Sequence, residues 1–287
     1  MNYSAMIQNR KSVREFLEKN VPESAIAEIQ AYYHGECRRL MPEIGTALRC
    51  FGRSVRDALE GSAGYENFLI GASEYLVLLS DDDAHAGENA GYIMEDLVLK
   101  LTEMGFDSCW ITFADGEKVK QALGIESRMQ AAAVVAFGYG AKTAKKLRVN
   151  IQSMSHIDTA AKRQYFAPKR SVEDLVYLER WGNTEGRDEF IGFYDDMLWQ
   201  AFYAASLAPS YLNRQPYGFV IRGGRVVLVQ RPDVQTDAAD AALGLGIVML
   251  HFAGVASRWA GSSEWKFGAP ADIALPAGYI AVAEYLL

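Results

Sequence analysis

Cysteine and histidine are scarce in this chain, with three and four among 287 residues. Cys37, Cys50 and Cys109 form an odd, widely spaced set, unlike a secreted disulfide framework or a zinc ribbon. Cys109 reads as a buried structural thiol. His34, His85, His156 and His251 show no ligand spacing, and Asp81-Asp82-Asp83 reads as a solvated loop, so no metal site is expected. Positive charge is also in deficit. Lysine and arginine total 29 against 36 acidic residues, a net charge of −7 with pI near 5.3. That balance argues against binding nucleic acid through a general basic field. No run approaches the roughly 18 uninterrupted apolar residues of a membrane span. The first sixteen residues lack a signal-peptide core, and a cytoplasmic location is expected. The motifs G-x-S-x-G, G-x-x-x-x-G-K-[ST] and H-E-x-x-H are all missing, and GYGAK (138–142) lacks the G-x-G-x-x-G spacing. With few acids or nucleophiles on show, an enzyme of this kind leaves its chemistry to a cofactor.

What is present is a globular composition, half hydrophobic with mean hydropathy −0.06, and a faint internal repeat. YLVLLS (75–80) and RVVLVQ (225–230) each predict a buried strand. GYIMEDLVLKLTEMGFDSCW (91–110) follows the first, with Ile93, Met94, Leu97, Val98, Leu101 and Met104 on a helical stripe and Gly105 as a stop. DAALGLGIVMLHFAGVASRW (240–259) follows the second, with Gly254 expected at its helix end. Gly105-x-x-Ser108-x-Trp110 matches Gly254-x-x-Ser257-x-Trp259, and strands are expected at 131–139 and 278–287. The pattern predicts two α+β units, 1–168 and 169–287, fused as an intrachain pseudo-dimer of mainly antiparallel sheets flanked by helices. A site is expected at their boundary. The stretch 142–170 between them reads as a long, basic, extended connection.

Two segments carry candidate binding chemistry. Arg10-Lys11-Ser12-Val13-Arg14 packs three cations and a hydroxyl into five residues, a set suited to phosphate. In an extended segment Arg10, Ser12 and Arg14 share one side; a solvated polar turn is the competing reading. A helix over 190–207 is expected to end at Pro209 and to lead into a loop offering Ser210, Asn213 and Gln215. These uncharged groups suit the edge of a heterocycle, or simply a structured loop.

Taken together, IQNRKSVREF (7–16), GFDSCWI (105–111), FGYG (137–140) and APSYLNRQPYGFVI (208–221) resemble segments of the nitroreductase family of FMN-dependent oxidoreductases. The Asn-x-Gln-Pro segment comes late in the chain, as in a smaller subgroup of that family. The resemblance implies a nitroreductase-like fold in which FMN lies between the halves. It implies that Arg10, Lys11 and Ser12 hold the phosphate and ribityl chain, joined by Lys169 and Arg170. It makes Arg14 the catalytic residue, a cation near N1 and O2 of the flavin, and places the Thr112-Phe113 backbone near N5. Pro209, Ser210 and Asn213 pack on the ring from the second half. Phe113 stands where many members have glycine, and the second half keeps no phosphate grip, so one FMN per chain is expected. The implied activity is ping-pong transfer from NADH or NADPH to a nitroaromatic or quinone-type acceptor. The alternative is a flavin-binding or degenerate scaffold without turnover. The assembly expected is a monomeric pseudo-dimer or a homodimer, with small molecules as partners and neither nucleic acid nor membrane.

Overall fold

The computed structural model describes residues 1–65, 68–141, 147–153, 156–161, 168–193, 196–259, 264–268 and 272–287. The first half runs α1 (Tyr3–Asn9), α2 (Glu23–Gly35), β1 (Thr46–Gly52), α3 (Arg56–Leu59), β2 (Glu74–Ser80), α4 (Ala86–Glu103), β3 (Asp107–Ile111), α5 (Gly116–Ala122) and β4 (Gln130–Gly138). A hairpin, β5 (Leu147–Ser153) and β6 (His156–Ala161), follows. The second half runs β7 (Val176–Leu178), α6 (Arg187–Phe193), α7 (Met197–Ser206), β8 (Tyr217–Arg222), β9 (Arg225–Gln230), α8 (Ala238–Ala256), β10 (Trp265–Phe267) and β11 (Ile280–Leu286).

The repeat is real in three dimensions. One sheet has the antiparallel order β1-β2-β4-β3, and the other has β8-β9-β11-β10 in the same sense, with β7 added parallel to β8. Each pair of hairpin strands is followed by one long helix and the remaining two strands. Residue alternation matches as well. Leu76 and Leu78 of β2 join the α4 core, whereas Tyr75, Val77 and Leu79 join a cluster on the opposite face. In β9, Val226 and Leu228 join the α8 core, and Val227 and Val229 face away. Both faces of both strands are covered, which is why each reads as a continuous apolar run.

α4 and α8 pack against each other at the centre, so the two sheets enclose a helical layer. Glycine permits the close approach. A Cβ on Gly91 would fall on the Leu243 carbonyl, and one on Gly246 would fall on the Glu88 carbonyl. α8 is long and apolar enough to cross a membrane by length and composition, with mean hydropathy 1.7. Here it is a core helix, buried among α1, α4 and α7. α1 crosses to the other half of the molecule. Tyr3 and Ile7 join the core of the second sheet, and Tyr3 Oη donates to Asp96 at 2.6 Å.

Four expectations need correction. Gly105 does end α4 in the left-handed region, at φ 85°, but Gly254 lies inside α8, where its missing Cβ makes room for the Tyr3 ring at 2.7 Å. The tryptophan that matches Trp110 is therefore Trp265 rather than Trp259. Each stands on the strand after the long helix and donates its indole N–H back to that helix, Trp110 to Glu95 at 2.8 Å and Trp265 to the Met249 carbonyl at 3.0 Å. The helix expected over 190–207 is two, α6 and α7, with Asp196 at φ 54° before the second. The connection 142–170 is not simply extended, since β5 and β6 pair antiparallel within it; residues 142–146, 154–155 and 162–167 lie outside the described ones.

Candidate functional site

The chain leaves α1 at Arg10 and turns extended. Ser12 bridges Ser108, and the Val13 N–H donates to the Ser108 carbonyl at 2.9 Å, laying residues 12–13 beside β3. Arg10 points inward, with a side chain 9% exposed. Its Nη1 donates to the Ser12 hydroxyl at 3.3 Å, while its Nε stands 3.5 Å from Glu95 Oε1. That spacing makes an ion pair by distance, yet Nε is buried without a hydrogen-bond partner. Lys11, Ser12 and Arg14 are exposed. Burial pushes the Cys109 thiol up, against the pull of Arg14 and then Arg10, so both cations lie near β3.

The second half closes on this strand. Lys169 Nζ donates to the Ala208 carbonyl at 2.8 Å, and the Pro168 carbonyl accepts from Asn213 Nδ2 at 2.8 Å. Burial, then the adjacent Arg10 charge, push the Lys169 ammonium down to about 8, against the pull of Glu95. Arg170 turns elsewhere: its backbone N–H donates to Gln215 Oε1 at 2.8 Å, and its charge is felt at Tyr217 and Arg231. Of the basic pair, the structure brings only Lys169 to Arg10.

The loop after α7 is strained, with Leu212, Asn213 and Gln215 at φ 46°, 57° and 49°. Strain of this kind persists where the surroundings over-determine it. Gln215 is the anchor. It is 1% exposed, receives the Arg170 N–H, and donates to the Ser206 carbonyl and Tyr217 Oη at 2.8 and 3.0 Å. Gln215 thus serves the loop itself and is not free to meet a heterocycle, whereas Asn213 gives one amide N–H to the Pro168 carbonyl. Ser210 and Tyr211 line a narrow crevice with Tyr217, Gln230 and Asp240. Here the first half returns, since Thr112 Oγ1 donates to Asp240 at 3.4 Å and Tyr65 meets Tyr211 at 6.4 Å between ring centroids. Phe113 is half-buried against the first-half core. The seam therefore has two ends joined by 208–211: Arg10, Ser12 and Lys169 at one, Thr112, Ser210, Tyr211 and Asp240 at the other.

Sequence reasoning missed what lies under Arg10. Glu95 and His251 are fully buried and 2.9 Å apart. Burial raises the Glu95 carboxyl, but the His251 hydrogen bond, the Arg10 charge and the Trp110 N–H outweigh it and hold it below the usual carboxylate range. The signal was available: a carboxylate beside the apolar stripe of one long helix, and a lone histidine in the apolar run of the other.

Asp240 supplies a pH prediction. Burial, then the Asp237 charge, raise its carboxyl to about 6, against the Thr112 bond. The folded state holds this proton more tightly than the unfolded state, so stability falls as pH rises from about 4 through about 6. At full strength the shift equals about 3 kcal/mol; solvent around a half-buried carboxyl reduces that to roughly 1 kcal/mol. Asp240→Asn should therefore melt about 2–4 °C higher near neutral pH and gain nothing near pH ~4. Thermal melts at the two pH values check it.

The architecture and the seam define an α+β protein of two like halves, with Arg10 and Lys169 brought together at one end of the boundary between them. The family described as "Putative TM nitroreductase" matches residues 2–177, and the chain belongs to it. A "putative nitroreductase" of Thermotoga maritima shares the fold over 100% of this chain and 94% of its own, at TM-score 0.61 and 17% identity. A nitroreductase family protein of Clostridium novyi NT aligns with 49% of this chain and 87% of its own (TM-score 0.43, 16% identity). An FMN-dependent nitroreductase of Clostridium difficile R20291 aligns with 48% and 88% (TM-score 0.42, 16% identity). No curated protein matches the sequence.

Proposed function

We propose that this chain is an FMN-dependent oxidoreductase that takes electrons from NADH or NADPH and passes them to an electron-poor small molecule of quinone or nitroaromatic type. The carrying observation is the charge at the first end of the seam. Two cations largely withdrawn from water, Arg10 and Lys169, face one carboxylate that is already engaged by His251 and Trp110. Lys169 is depressed partly by Arg10, and Arg10 Nε has an N–H unused. A phosphate monoester fits that donor set: it is a dianion near neutral pH and matches guanidinium geometry.

On this reading Arg10, Ser12 and Lys169 hold the phosphate. Arg170 fixes the loop through its backbone, and Pro209, Ser210 and Tyr211 wall the ring end from the second half. Arg14 and Thr112-Phe113 serve the same ring from the first half. A fixed cation such as Arg14 stabilises negative charge that develops beside it in a site partly closed to water. FMN supplies the two-electron chemistry that the side chains lack.

The test is the absorbance spectrum of purified protein before and after anaerobic NADPH and then NADH. Flavin bands that bleach with either donor are expected. Bands that persist with both would favour the flavin-holding protein without turnover, and colourless protein that takes up no added FMN would remove the flavin reading altogether.

A further inference from the structure

We propose that Glu95 and His251, one from each half of the chain, are positioning residues for the phosphate end: they share one proton, hold Arg10, and set the net charge an incoming phosphate meets. The inference rests on the reading of Arg10 and Lys169 as the phosphate grip.

Hydrogen-bond logic places the proton. His251 Nδ1 lies 3.0 Å from the Ala204 carbonyl oxygen, and Nε2 lies 2.9 Å from Glu95 Oε1. A carbonyl only accepts, so Nδ1 carries a hydrogen. If Nε2 were bare and Glu95 ionised, two lone pairs would oppose each other where neither side chain has any solvent contact. Such an arrangement carries an uncompensated desolvation cost, so one proton lies between the two groups. Glu95 Oε2 is taken by the Trp110 N–H at 2.8 Å. Arg10 joins this pair to the mouth of the site, with Nε toward Glu95 and Nη1 toward the exposed Ser12 hydroxyl. Lys169 lies beyond Arg10. The neighbouring Asp96 is occupied separately by Tyr3, Tyr32 and the Arg38 N–H.

With the shared proton in place, Arg10, Lys169 and the pair together carry two net positive charges, equal and opposite to a phosphate monoester; without it they carry one. Phosphate affinity therefore depends on the proton the pair holds, and a side chain that keeps the hydrogen bond without the charge presents one positive charge fewer.

The experiment titrates intact apo-protein with FMN, followed by flavin fluorescence, for wild type and His251→Gln, with inorganic phosphate as competitor. Glutamine offers Glu95 an N–H without the charge. The variant should bind roughly tenfold more weakly. Histidine 15N spectra of the wild type give an independent readout, in which both His251 ring nitrogens should carry hydrogen near pH ~6. Unchanged affinity in the variant, or a bare Nε2 beside an ionised Glu95, overturns the pair's role while leaving the flavoprotein reading intact. Wild-type protein that binds neither FMN nor phosphate overturns both.

Discussion

Arg10→Ala combined with Lys169→Ala should weaken FMN binding by roughly two to four orders of magnitude. Hydrogen bonds to a charged partner are each worth about 1.5–3 kcal/mol, and every ~1.4 kcal/mol is tenfold in affinity. Both cations are largely withdrawn from water, so their attraction for an anion is screened less than on an open surface. The fold should survive. Lys169 is a buried cation pressed by another, and its removal relieves that cost; Glu95 keeps His251 and Trp110 as partners after Arg10 is gone. Arg170→Ala, by contrast, should change affinity by less than about threefold, because its side-chain charge faces Arg231 and Tyr217. Fluorescence titration of apo-protein measures both variants. An unchanged dissociation constant in the double variant would remove both residues from the site.

Gly246→Ala should be the most damaging small substitution in the chain. The added methyl would land on the Glu88 carbonyl and within 2.8 Å of the Tyr92 nitrogen. Those are backbone atoms of α4, held on its other side by the first sheet, so no rotamer can yield. The two helices must separate, and the core around Leu245, Ile247 and Tyr92 loosens with them. Overpacking and core loss of this kind cost about 3–5 kcal/mol, or roughly 10 °C in melting temperature for a chain of this size. Gly244, two residues earlier on the same helix, has nothing within 4 Å of its would-be Cβ. Gly244→Ala should be neutral or stabilising by up to ~1 kcal/mol, from helix propensity alone. Equal melting temperatures for the two variants would contradict the close crossing.

The strands of both halves were legible because each is a short apolar run covered on both faces, and 75–80 and 225–230 emerge as β2 and β9 almost residue for residue. The repeat was legible for the same reason. Its detail was not, because a constant offset cannot register that Gly254 is held inside α8 by the Tyr3 ring, which shifts the matching tryptophan to Trp265. The break between α6 and α7 escaped notice because residues 190–207 contain no proline, and the one disclosing feature is a left-handed Asp196. Within the candidate site, Arg10 and Lys169 were visible as local basic motifs. Gln215 resembled a ligand group and turned out to be committed to Ser206, Tyr217 and Arg170, a bonding pattern no linear spacing encodes. Glu95 and His251 stand 156 positions apart, so only the crossing of α4 and α8 makes them a pair.

The joining of the halves in one chain changes how the site can be lost and how it can be altered. Two separate subunits would come apart on dilution, whereas a tether holds its ends at an effective concentration of order millimolar whatever the amount of protein present. Arg10 and Lys169 therefore stay together at the lowest cellular copy number. In a twofold dimer every coding change is also expressed in both copies at once. Here a substitution in α8 leaves the sequence of α4 unaltered, so each helix is free to acquire its own residues, and a carboxylate on one can meet a histidine on the other.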